Sequence, residues 1–238
     1  MSKLSWIIFG AIVVGVLTTL IILSRGASTQ VDVTTIDANI VQKASDAGGQ
    51  IADRVLGNPT SEVVLIEYGD FQCPACAAAN PGINAIMKQY GETVAFVFRN
   101  FPLTSRHPNA KAAAAAAESA GQQGKYWEMH DKIYENQTQW SGLSGTERTD
   151  FFMSYAQQLG LDEAQFKADF ESESVAQKIS FDQALGKKIG VNSTPAFYIG
   201  GNQVDSEIIK NLQQDSGDSL RDLLDSKLKQ AGITPPSR

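Results

Sequence analysis

The chain has 238 residues, 42% hydrophobic and 19% charged, which fits one large or two small globular domains and excludes a disordered chain. A net charge of −6 lacks the basic footprint of a nucleic-acid-binding protein, so no nucleic-acid partner is expected. With only two cysteines present, a buried core has to hold the fold without a disulfide framework.

The N-terminal stretch is a different material from the rest. Leu4 to Leu23 carries no charge, and as a helix it spans about 30 Å, the thickness of the bilayer hydrocarbon. Lys3 precedes it and Arg25 follows; with the free amino terminus, the positive-inside bias puts the N-terminus in the cytoplasm. A cleaved signal peptide has a shorter apolar region, about 7–15 residues, ending in a small-x-small site. Leu23-Ser24-Arg25-Gly26 offers no such site, and no cysteine follows for a lipid anchor. Residues 1–25 are therefore expected to be an uncleaved single-pass anchor, 26–51 a small polar stalk, and 52–238 the folded domain on the extracytoplasmic side. Anchored or cleaved, the domain reaches a compartment where disulfides persist.

A short helix is predicted around Ile36–Ala44, and Arg54-Val55-Leu56-Gly57 as a short leading strand. Asn58-Pro59-Thr60-Ser61 is a turn cluster. Val63–Tyr68 is a strand-like run, followed by a loop and Cys73. Pro74 suits the first turn of a helix, which runs to about Tyr90 and ends at Gly91. Thr93–Phe98 is a second buried strand, so residues 63–98 read as a βαβ unit. Residues 107–190 read as entirely helical. The Ala112–Ala117 run favours a packed helix, and Tyr126, Trp127, His130, Ile133 and Tyr134 fall at helical spacing. Phe151, Phe152, Tyr155 and Leu159 do likewise, closing at Gly160. Ala196–Ile199 is a strand, Gly200-Gly201-Asn202 a hairpin turn into Gln203-Val204, and Leu220, Leu224 and Leu228 one face of a last helix. The order is β–α–β, helical block, β–β–α, an α/β arrangement.

Cys73-Pro74-Ala75-Cys76 carries the chemistry. Cys73 and Cys76 lie three apart on a first helical turn, on one face, with Cβ atoms about 5–6 Å apart. The helix N-terminus favours the thiolate, which is the nucleophile, and Cys76 is expected to be the more buried, resolving thiol. A structural staple is a weak alternative, since a four-residue loop contributes only about 1.9 kcal/mol in the chain-entropy model. A structural zinc needs about four ligands, and His107 and His130 are the only histidines. No metal or cofactor is expected; both histidines and the aromatic stripes read as structure. Glu67, six residues before Cys73, is either a buried proton carrier for Cys76 or a solvated strand end. Thr194-Pro195 marks the start of the third strand, with the peptide trans or cis left open by sequence.

Ile66-Glu67-Tyr68-Gly69-Asp70-Phe71-Gln72-Cys73-Pro74-Ala75-Cys76 resembles the active-site segment of DsbA-like thiol–disulfide oxidoreductases. Arg54–Pro59, Arg99-Asn100-Phe101-Pro102-Leu103, His107-Pro108-Asn109-Ala110 and Ser193-Thr194-Pro195-Ala196-Phe197 agree with it, over roughly residues 52–231. It looks most like the membrane-anchored branch. The resemblance implies a thioredoxin-like fold with an all-helical insertion, about residues 107–190, between the βαβ and ββα halves. It implies catalysis by Cys73 and Cys76 with Glu67 as proton relay. It implies that Pro195 is cis and faces the pair, and that Thr194 offers its backbone to a substrate peptide. It also implies partners: reduced or unfolded exported proteins, and a membrane redox partner of the DsbB or vitamin K epoxide reductase type. A monomer is expected. The sequence departs at Ala75, where the strongly oxidising member has a thiolate-stabilising histidine. A reductase or isomerase of the same fold is the alternative enzyme, and a peptide-binding chaperone with an idle cysteine pair the alternative outside catalysis.

Overall fold

Val64–Gly69 alternates around a strand buried on both faces, which is why it is nearly all apolar apart from Glu67. It forms β2 at the centre of a five-stranded sheet in the computed structural model, which describes residues 13, 15, 31–214 and 217–237. The sheet order is β1 (Val55–Gly57), β3 (Ala95–Asn100), β2, β4 (Ala196–Ile199), β5 (Asn202–Gln203). β2 runs parallel to β3 and antiparallel to β4; β1 and β5 are antiparallel edges. The parallel pair requires a crossover, supplied by α1 (Pro74–Tyr90). Residues 1–31 form a separate unit from 32–238. The expected anchor, Leu4–Leu23, lies outside the described residues save Val13 and Gly15. Among the described residues no helix is long and apolar enough to cross a membrane.

The insertion comprises α2 (Ala110–Gln122), α3 (Tyr126–Glu135), α4 (Gln137–Trp140), α5 (Gly145–Gln158), α6 (Glu163–Phe170) and α7 (Glu173–Lys188). α2 buries its alanine run, whose lack of side-chain bulk lets neighbouring helices close on it. Gly160 ends α5 with φ +70°, a conformation that costs a residue with a Cβ far more. After β5 the chain forms α8 (Ser206–Gln214), which the sequence reading did not anticipate, and α9 (Asp218–Gln230), which buries Leu220, Leu224 and Leu228 as expected.

The sheet's two faces differ. Leu65, Phe96, Phe98, Phe197 and Ile199 pack in one core with Ile83, Ile86 and Met87 of α1. Strand alternation puts Glu67 on that same face, opposite Phe98 on β3 and Phe197 on β4. Tyr68 and Arg99 are register partners on the other face, beneath α7. There a fully buried ion cluster sits beside the apolar packing of Ile66, Val97 and Phe181. Arg99 meets Asp53 at 2.8 Å, and Lys178 meets Asp53 at 2.8 Å and Asp182 at 2.5 Å. Burial alone would raise Asp53, but Lys178 and Arg99 outweigh it and hold the carboxyl at about 2.

Residues 36–44 contain turns in place of the predicted helix. The carbonyls a helix would use are taken elsewhere: Arg99 donates to Ala38 O and Ile40 O, and Lys188 Nζ to the carbonyls of Val33, Thr34 and Ile36. Asp32 and Asp37 close local turns onto the N–H groups of Thr34 and Asn39. From residue 32 the segment read as a stalk is thus strapped to the domain, with Val33, Ala38 and Ile51 buried.

Candidate active site

β2 delivers the chain to a loop at its C-terminal end, where Asp70 organises the backbone. Its carboxylate accepts from Gln72 N, from Leu103 N and from the His107 ring, each at 2.8 Å, and its carbonyl accepts from Cys73 N at 2.9 Å. Gly69 permits this path: a Cβ there would lie 2.1 Å from the Phe98 ring. Cys73 occupies the N-cap of α1 in extended conformation, and Pro74 begins the helix without losing a hydrogen bond. Both cysteines are free thiols; Cys73 retains 7% exposure and Cys76 1%. The accessible sulfur is the one at the helix N-terminus, in the order the sequence suggested.

Across the site, the Thr194–Pro195 peptide is cis, as the resemblance implied. The Cys73 thiol lies 3.4 Å from the Thr194 carbonyl, and the Thr194 hydroxyl is buried without a hydrogen-bond partner. Glu67 is buried rather than solvated, and its Oε1 also has no partner.

These surroundings separate three titrations. Cys73 is drawn down to about 5, first by the Cys76 thiol donating to it, against burial, and further by Thr194 and the N–H groups of Cys76 and Ala75. Neutral donors at a helix N-terminus thus lower the thiol, with Ala75 contributing its backbone N–H alone. Cys76 is pushed well up, first by burial, then by its bond to Cys73 and by the charge of Glu67. Glu67 is raised to about 8 by burial and secondarily by the Cys73 charge. At neutral pH the site therefore pairs a thiolate at Cys73 with a thiol at Cys76 and a carboxylic acid at Glu67. It can accept or release one proton beside a disulfide exchange.

The five residues singled out from the sequence all fall at this end of the sheet or in its core. Others were missed. Gln137 at the start of α4 donates to Phe71 O at 2.8 Å and to Cys73 O at 3.0 Å. Gln72 donates to Ser141 O at 2.8 Å and accepts from Asn109 N at 2.7 Å. Only Gln72, beside Cys73, carried any hint; partners more than thirty residues away have no local signal. His130, by contrast, is the core residue expected, packed edge-on against Phe71 and Phe98 and lowered in basicity by burial.

A redox-type pair at a helix N-terminus, facing a cis-proline loop in a mixed sheet, defines a thioredoxin-fold oxidoreductase. A family model described as thioredoxin matches residues 50–215. The chain belongs to the thioredoxin family. A thioredoxin-like oxidoreductase from Silicibacter pomeroyi DSS-3 is 30% identical, with a TM-score of 0.56 over 74% of this chain and 97% of its own. MdbA, a thiol-disulfide oxidoreductase from Corynebacterium diphtheriae, shares the fold at 22% identity, with a TM-score of 0.59 over 79% of this chain and 99% of its own. Among curated relatives, Na(+)/H(+) antiporter NhaA 1 of Salinispora arenicola (strain CNS-205) is 35% identical over 151 residues, covering 63% of this chain and 22% of that protein. The chain spans less than a quarter of the length of the curated antiporter relatives it matches, where coverage is 22–24%.

Proposed function

We propose that this enzyme introduces disulfides into exported proteins on the extracytoplasmic side of the membrane, by exchange at Cys73 and Cys76. The observation that carries the reading is the place of the Cys73 sulfur, at the N-cap of α1 and 3.4 Å from the carbonyl before cis-Pro195, where the helix N-terminus favours the thiolate and so a good leaving group. In the oxidised enzyme a substrate thiolate attacks Cys73 Sγ. The Cys73–Cys76 bond breaks, a mixed disulfide forms, and Cys76 leaves with the electron pair. Burial disfavours the Cys76 thiolate, so it takes a proton, which the neutral Glu67 carboxyl supplies. The second substrate thiolate then attacks the first substrate sulfur. The substrate disulfide forms and Cys73 departs as a thiolate. Two electrons have moved from the substrate pair to the enzyme pair. A membrane partner of the DsbB or vitamin K epoxide reductase type accepts them, and Cys76 returns its proton to Glu67.

Thr194 and Pro195 complete the site in this reading. The backbone of Thr194 hydrogen-bonds an extended substrate peptide beside Cys73, a role supported by the 3.4 Å approach of its carbonyl to Sγ. Leu4–Leu23 tethers the enzyme, with the N-terminus cytoplasmic, residues 52–238 outside, and the protein a monomer. Cys73→Ser is expected to abolish oxidation of a reduced, unfolded substrate, and Cys76→Ser to accumulate mixed disulfides. Oxidation by Cys73→Ser at the parental rate would refute exchange at this pair. A Cys73–Cys76 potential near that of thioredoxin, about −270 mV, would assign the enzyme to reduction instead.

A further inference from the structure

The Cys73 carbonyl is the N-cap carbonyl of α1 and accepts the helix's own Ala77 N–H at 3.1 Å. It also accepts a second hydrogen bond, from Gln137, whose amide spends its other contact on Phe71 O. The two carbonyls belong to residues on either side of Gln72. One amide nitrogen carries two N–H groups, so this pair of bonds exhausts its donors. The loop answers in kind: Gln72 reaches back to Ser141 O, the residue that follows α4. The short helix between these bonds is itself fixed. Trp140 is fully buried and donates to Ile133 O at 2.8 Å, and Ser141 Oγ donates to Gln137 O at 2.6 Å. Asn109 closes the set, donating to Ser141 O at 3.0 Å and to Leu143 O at 2.7 Å. The helical insertion therefore grips the backbone on which the exchanging sulfur sits.

Gln137 touches no reacting atom. Its contacts are with peptide carbonyls, and these set the orientation of the Phe71–Cys73 backbone. That orientation decides whether the Cys73 sulfur faces the N–H groups of Ala75 and Cys76. We propose that Gln137 is a positioning residue for Cys73, through which the helical insertion tunes the thiolate and hence the redox potential of the pair. The proposal rests on the reading of Cys73 as the exchanging thiolate. It assigns the insertion a role in the chemistry as well as in covering the sheet.

The test uses the full chain with Gln137→Met, which keeps length but removes both donors, and Gln137→Asn, which stays polar but is one methylene too short. Gln137 is half-buried, so both variants are compatible with folding. The Cys73 thiolate is titrated by its ultraviolet absorbance, and the potential is measured against glutathione. Both variants are expected to raise the Cys73 pKa by about one unit, the size of one net hydrogen bond. A tenfold loss of thiolate stabilisation makes the pair less oxidising by about 30 mV. A purely structural role would lower the melting temperature and leave the titration and the potential in place; that result overturns the proposal. If only one variant folds, its titration decides on the same terms. A parent Cys73 titrating near 8.5 would overturn the leaving-group reading and this proposal together. A low parent value with unchanged variants overturns this proposal alone.

Discussion

Replacing Glu67 by Gln removes a buried proton site without changing its shape, and its consequence for stability follows from the surroundings. The Glu67 carboxyl is raised from 4.5 in the unfolded chain to about 8 in the reduced fold. A raised carboxyl favours folding fully only below its unfolded value. Its contribution declines as pH rises from 4.5 and is lost through 8, at about 1.4 kcal/mol per unit. At pH 7 the unfolded chain has gained roughly 3 kcal/mol from ionising Glu67, which the folded form cannot share. At pH 5 the corresponding penalty is only about 1 kcal/mol. Glutamine does not ionise, so the variant escapes both. Cys73 works in the opposite direction. Its depressed pKa adds stability as pH rises from about 5 toward the ordinary thiol value of 9.0, so the parent's own profile is a poor guide to either group. The difference between parent and variant isolates Glu67. Urea denaturation of both reduced proteins from pH 5 to 8 is the assay. Glu67→Gln is expected to be the more stable, by a margin that widens with pH to roughly 3 kcal/mol at neutrality. Stability profiles that run parallel across this range would refute the assignment of a neutral, buried Glu67.

A further outcome follows from a particular set of contacts. Lys178→Met leaves Asp53 and Asp182 buried with one cation fewer, and is expected to cost about 4 kcal/mol in chemical denaturation at pH 7.

Much of the scaffold was legible because it obeys local rules. Continuous apolar runs marked β2, β3 and β4, and Pro74 with Gly91 bracketed α1 within a residue. Alanine and aromatic spacing marked the insertion. The errors fell where tertiary contacts override local preference. Residues 36–44 gave up a helix because Arg99 and Lys188, brought from distant elements, claim their carbonyls. The charges of that second face, Asp53, Arg99, Lys178 and Asp182, are scattered along the chain; their association has no periodicity to betray it.

The same division holds at the active site. The sequence by itself determined the motif, its place after a strand, and the helix N-terminus that favours a thiolate at Cys73, because all three depend on neighbours within a few residues. Tertiary structure decided the rest. It buried Glu67 and so keeps an ambiguous carboxyl protonated at neutral pH. It brought Thr194 to within 3.4 Å of a sulfur 121 positions away, and laid Gln137 on the Cys73 carbonyl. Ionisation and hydrogen bonding respond to what lies within a few ångströms, and for these residues folding alone sets that distance.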